Sequence, residues 1–327
     1  MEVIARYTFK GLPSAAMDLR WASKDTVYIV RVDDGVATHR LEPGLPEDRL
    51  IIPGRNRESH VPMLIQMAVS SDGVIAASGA RLVEASSRDS VDGIDAHVSG
   101  AGPASIGAID ILGSDVVLYG TPTQELWKNH PDAILWKGKL KESQDAFSPL
   151  LEETRQGAAQ DRTRFLAANG RLGALRFLTN GDLIFSPGYV PVVERVSAAG
   201  KVTATWDLSN LGVKALNPPL HEGELVDPQG LEDLAVHSQV VDSLVPLGKS
   251  PGVVVKTLRE GEREWDLVLP GGDEPEVFRI PVELGRDVTR VVGDWRKGGD
   301  LVFLTSFRRP PREGDAGPQE ILLCRLP

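Results

Sequence analysis

A short apolar run, a turn built on glycine, asparagine, aspartate or another polar residue, and a second apolar run recur six times along this chain. The copies occupy residues 19–29, 67–76, 109–118, 176–185, 244–254 and 294–303. Each reads as a β-hairpin. The turn residues accept unusual backbone dihedrals, and the β-branched and aromatic residues beside them favour extended strands. A chain written this way is all-β, and its fold must find a partner for every copy of the hairpin.

One unit can be followed from end to end. Strands are expected at 174–179, 182–186, 192–197 and 201–208, with turns at Asn180-Gly181, Pro187-Gly188-Tyr189 and Ala198-Ala199-Gly200. A repeated four-stranded meander is the pattern of a β-propeller blade. Dividing the 327 residues among six units leaves about 55 each, slightly above the common repeat length. The expected fold is therefore a single six-bladed propeller domain over residues 1–327. The competing topology is a β-sandwich with a second small domain.

The last unit offers strands at 287–295, 300–307 and 319–326 and is one short. The opening segment Glu2-Val3-Ile4-Ala5-Arg6-Tyr7-Thr8-Phe9 is a strand without a sheet. Pairing it beside Ile321-Leu322-Leu323-Cys324 completes the last blade and closes the ring, which removes an open edge. Two insertions, 139–171 and 209–236, account for the excess length and flank the fourth unit. In the first, Ser148-Pro149 reads as a helix cap and first turn, with a stop at Gly157.

The periodicity resembles the six-bladed propellers, a superfamily that includes NHL-type binding propellers and lactonase-like enzymes. Trp206-Asp207 and Trp265-Asp266 are too few and too irregular for a WD40 repeat. The resemblance implies either a binding scaffold or an enzyme with a divalent ion, calcium or another, near its centre.

Composition narrows the partners. Hydrophobic residues at 41% and charged residues at 25% describe a globular chain. A net charge of -10, from 46 acids and 36 bases, repels phosphate backbones, so no nucleic-acid partner is expected. No apolar run has membrane-spanning length and no signal-peptide core opens the chain, so the expected location is cytoplasmic and no membrane partner is expected. The single cysteine, Cys324, reads as a small core hydrophobe.

Candidate site residues fall into two groups. Asp18, Asp110 and Asp242 lie on expected innermost strands of units one, three and five. Side chains pointing inward would bring three carboxylates towards one axis, raising their pKa values or recruiting a cation; the alternative is that each bonds backbone amides. The second group lines one face: Arg55, Arg57 and His60, then His221, Glu222 and Glu224 in the acidic insertion, then Arg308, Arg309 and Arg312. Arginine suits carboxylate or phosphate capture through its planar fork. No nucleophile elbow, phosphate loop or dinucleotide fingerprint is present, and no catalytic residue is assigned. The expected function is a non-enzymatic interaction module or scaffold for a protein partner, without a cofactor. Its alternatives are a metal-dependent, lactonase-like hydrolase and an anion or small-molecule sensor.

Overall fold

The structure is a computed structural model. It describes residues 1–9, 16–31, 35–41, 49–53, 64–69, 73–78, 82–86, 105–139, 146–152, 173–187, 190–211, 241–259, 262–271, 274–282, 288, 290–296, 298–306 and 319–327.

After an isolated strand β1 (Glu2–Phe9), the chain builds radial sheets one after another. The first is β2 (Ala16–Trp21), β3 (Thr26–Arg31), β4 (Gly35–Arg40) and β5 (Arg49–Pro53). A three-stranded sheet of β6 (Leu64–Val69), β7 (Gly73–Ser78) and β8 (Leu82–Ser86) follows. Next come β9 (Ser105–Leu112), β10 (Asp115–Thr121), β11 (Ala133–Lys139) and β12 (Ser148–Glu152), with a short helix α1 (Gln124–Asn129) between β10 and β11. The following sheet is β13 (Ala174–Phe177), β14 (Leu183–Ser186), β15 (Val192–Val196) and β16 (Val202–Asp207). Then stand β17 (Val241–Leu247), β18 (Ser250–Arg259), β19 (Glu262–Leu269) and β20 (Glu276–Ile280). The last sheet is β21 (Arg290–Trp295), β22 (Asp300–Ser306) and β23 (Gln319–Arg325), completed on its outer side by β1. The innermost strands adjoin in the cycle β2, β6, β9, β13, β17, β21 and back to β2. This is a β-propeller.

Two expectations are corrected. Among the described residues five sheets have four strands and β6–β8 has three, so the six-bladed propeller read from the repeat is corrected to five complete four-stranded blades. The helix expected from Ser148 is instead the outer strand β12, paired with β11 in the register Lys137 to Ser148 and Ala133 to Glu152. The strand pairing wins there because Leu150 and Leu151 pack against the core shared with the β13 blade. The first insertion is therefore divided: 140–147 joins β11 to β12, and 153–172 joins β12 to β13. In the second insertion Ser209–Leu211 is a 3-10 turn, and the rest of it lies outside the described residues.

The core lies between blades, and strand alternation puts it there. Successive side chains point to opposite faces of a sheet. Leu301 and Phe303 of β22 thus pack towards the β17 blade, while Val302 and Leu304 pack towards the β2 blade. Val117 and Tyr119 of β10 face the β13 blade, and Val116 and Leu118 face the β6 sheet. Both faces of these central strands are buried, so they read as continuous apolar runs. The inner hairpins are tight; Gly181 in the Asn180-Gly181 turn has φ +87°.

The ring closes as the terminal strands suggested. β1 pairs antiparallel with β23, Arg6 opposite Leu322 and Tyr7 opposite Ile321. Arg6 Nη1 donates to Glu320 Oε1, and Glu320 is buried. Removing residues 1–9 strips the outer strand from this blade and strands Glu320 without its guanidinium. The shortened protein is expected to aggregate or to melt well below the full chain in a thermal scan. Unchanged melting would refute the closure.

Candidate functional site

The axis is lined by charged side chains from the innermost strands, all of them scarcely exposed: Asp18 at 3%, Arg20 at 7%, Asp110 at 7%, Arg176 at 8%, Asp242 at 0% and Asp294 at 4%. Neighbouring inner strands belong to different sheets, so a backbone N–H facing the next blade needs an acceptor from outside its own ladder. Aspartates supply it. Asp18 Oδ2 on β2 accepts from Met67 N on β6 at 3.0 Å. Asp110 Oδ2 on β9 accepts from Phe177 N on β13 at 2.7 Å. Asp242 Oδ2 on β17 accepts from Val291 N on β21 at 2.8 Å, and Asp294 Oδ2 on β21 accepts from Trp21 N on β2 at 2.9 Å. Each carboxylate fastens its strand to the next one round the ring.

Arginines take up the other oxygens of Asp18 and Asp294. Arg20 Nη1 donates to Asp18 Oδ1. Arg176 Nη2 donates to Asp294 Oδ1 at 2.6 Å, and its Nε lies 3.5 Å from Asp110 Oδ2. Arg290 Nε donates to the Asp242 carbonyl at 3.0 Å, and Trp265 Nε1 donates to Asp242 Oδ2 at 2.6 Å. Arg20 Nε, Arg176 Nε, Arg176 Nη1 and Asp242 Oδ1 are buried without a hydrogen-bond partner, so Arg176 meets Asp110 as an ion pair and not through a hydrogen bond.

Electrostatics follow from this burial. Asp110 and Asp242 are raised above the ordinary carboxylate value, first by burial, which Arg176 and Arg20 offset only in part for Asp110 and Lys256 and Arg290 for Asp242. Burial works against the Arg176 charge, but Asp294, Asp110 and Asp18 outweigh it and hold the guanidinium above its usual value. Burial lowers Arg290. Cys324 is pushed up to about 11 by burial and sits in the apolar core, as expected for a small hydrophobe.

The sequence-derived candidates thus divide. Asp18, Asp110 and Asp242 do lie on inner strands, as expected. They do not form a shared cation cage: among the described residues no group of three or more His, Cys, Asp or Glu is placed to hold a metal ion. Their carboxylates serve backbone amides instead. Arg55, Arg57, His60, His221, Glu222, Glu224, Arg308, Arg309 and Arg312 lie outside the described residues. Arg20, Arg176 and Asp294 went unrecognised in the sequence, although Arg176 and Asp294 open the fourth and sixth hairpin copies.

Beyond the axis, Arg296 stacks over the Trp21 ring at 4.6 Å and pairs with Asp300, which also takes Arg325 Nη2 at 2.7 Å. Trp295 packs into the core between the β17 and β21 blades. These contacts sit at the turn ends of β2 and β21, between neighbouring blades. Among the described residues no helix is long and apolar enough to cross a membrane.

No family model and no curated protein sequence matches the chain. Solved structures do. PQQ-bound aldose sugar dehydrogenase from Streptomyces coelicolor superposes with a TM-score of 0.54 at 13% identity, covering 99% of this chain and 98% of that one. A catalytically inactive virginiamycin B lyase from Staphylococcus aureus, with quinupristin, gives 0.52 at 9% identity and 98% coverage of both chains. A WD40 β-propeller domain gives 0.49 at 8% identity, over 99% of this chain and 97% of that one. At these identities the likeness establishes the fold alone.

Asp242 offers a direct test of the amide role. Asp242→Ala leaves Trp265 Nε1 and Val291 N buried without an acceptor and should cost on the order of 2–4 kcal/mol in thermal or denaturant unfolding. Asp242→Asn keeps an oxygen for both donors and should lose far less. The folded pKa of Asp242 lies above its unfolded value, so its stabilising contribution is full below the unfolded pKa and is lost as pH rises through the folded one. The Asn variant should therefore gain on wild type as pH rises from acid to neutral. Equal losses in both variants at every pH would rule out the carboxylate as an acceptor.

Proposed function

We propose that this protein is a non-enzymatic interaction module: a rigid propeller, acting in the cytoplasm, that holds a protein partner on one decorated face. The observation that supports this reading is the engagement of the axial side chains. Asp18, Asp110, Asp242 and Asp294 each accept a backbone amide of the next blade, and Arg20 and Arg176 occupy further carboxylate oxygens. A lactonase-like hydrolase would need Asp18, Asp110 and Asp242 to turn towards one cation, which costs the ring those amide acceptors. The β6–β8 sheet serves in this reading as a sixth blade of the ring.

Topology supports a single recognition face. In an antiparallel blade the connection from the outer strand to the next inner strand leaves from the same end as the connection between second and third strands. Segments 54–63, 153–172 and 212–240 are connections of the first kind, and 307–318 is one of the second. They carry Arg55, Arg57, His60, His221, Glu222, Glu224, Arg308, Arg309 and Arg312. Long connections on a rigid scaffold are the usual seat of recognition. Interleaved basic and acidic residues suit a partner with complementary charge, bound through bidentate arginine contacts.

The test is capture of a partner by the tagged full chain at low ionic strength, in parallel with Arg308→Glu/Arg309→Glu/Arg312→Glu. The wild-type chain should retain a defined partner that added salt and the triple variant both release. The triple variant should melt as wild type does. A wild-type chain recovered alone, or a partner held equally by the triple variant, would overturn the assignment to this face.

A further inference from the structure

Arg176 makes a contact that no blade junction requires. It stands on β13, and Asp294 stands on β21, with β17 between them in the cycle of inner strands. The bond from Arg176 Nη2 to Asp294 Oδ1, 2.6 Å, therefore passes over the intervening β17 blade. On its other side Arg176 Nε lies 3.5 Å from Asp110 Oδ2. Counting side-chain atoms alone, all three groups are at least nine-tenths buried, with side-chain exposures of 9% for Arg176, 10% for Asp110 and 6% for Asp294.

Both carboxylates are already committed elsewhere. Asp294 Oδ2 accepts from Trp21 N, and Asp110 Oδ2 accepts from Phe177 N. One guanidinium thus joins β9, β13 and β21 directly, and β2 through the Trp21 amide. Two buried carboxylates of separate blades thus share one positive group. Arginine fits the place because its charge is permanent: Nη2 donates to Asp294, and the attraction to Asp110 is that of an ion pair.

We propose that the Arg176 guanidinium is the resident cation of the axis: it stands between Asp110 and Asp294, where the hydrolase reading would need a divalent ion, and makes that centre a cross-tie between the β9 and β21 blades. Part of the cost of burying the carboxylates is offset from within the chain, without an exogenous ion. Loss of the guanidinium leaves Asp294 without this ion partner and Asp110 with Arg20 as the remaining basic group acting on it.

The experiment measures melting of the purified full chain in excess EDTA and in millimolar calcium or manganese chloride. Wild type should melt identically in all three. Arg176→Met should melt lower by about 5–10 °C, and calcium or manganese should raise it again as the ion enters the vacated position. Arg176→Met/Asp294→Asn should recover part of the loss, because one buried charge is gone, and should ignore both cations. If Arg176→Met does not fold without added cation, its rescue by calcium or manganese, or by the added Asp294→Asn change, reports the same coupling. Three outcomes would overturn the proposal: a wild-type protein destabilised by EDTA, an Arg176→Met protein that melts like wild type, or one that melts low yet answers to neither cation. The readout is independent of partner capture, so this inference and the interaction reading stand or fall separately.

Discussion

The ring depends on a carboxylate oxygen meeting a backbone amide of the neighbouring blade. Within a blade the ladder satisfies the strands, but between blades no ladder exists and the inner strands splay. A side chain must bridge the gap. Aspartate does so at four junctions, from Asp18, Asp110, Asp242 and Asp294. Its short side chain keeps the acceptor close to its own strand, and charge-assisted bonds to N–H groups are the stronger kind. The same burial that makes each bond strong makes each carboxylate expensive, which is visible in the raised pKa values of Asp110 and Asp242.

Around this hub the apolar surfaces follow from strand alternation. Every central strand sends one set of side chains to each neighbouring blade, so no blade owns a core of its own. Leu301 and Phe303 belong to one interface, and Val302 and Leu304, interleaved with them, to the next. A blade removed from the ring would expose two apolar faces at once. Stability is thus a property of the closed cycle, and the pairing of β1 with β23 is as much a part of the core as any buried leucine.

Much of this was legible in the hairpin repeat. The turns, the inner strands and the seam all follow from residues that local physics constrains: Gly181 at positive φ, alternating β-branched runs, and an unpaired opening strand. The error at Ser148 arose where local and tertiary preferences conflict. Ser-Pro followed by Leu-Leu-Glu-Glu fits a helix start, but β11 offers an open edge and the β13 blade an apolar surface for Leu150 and Leu151. The aspartates were found for the right reason, their inner-strand positions, but periodicity carries no information about what a carboxylate faces. Arg176 and Asp294 come together only when the ring is closed, because 118 residues separate them.

The seam has a consequence for how the chain reaches this state. Arg6 and Glu320, its paired ion partners, are 314 residues apart. At ribosomal rates of ~5–20 residues per second, the opening strand waits roughly 15–60 s for the strand it will join. Throughout that interval an apolar edge, carrying Val3 and Ile4, is at large in a crowded medium. A nascent ring of this kind calls on holding factors during translation, and its yield on expression should be governed by that delay as much as by the strength of the finished fold.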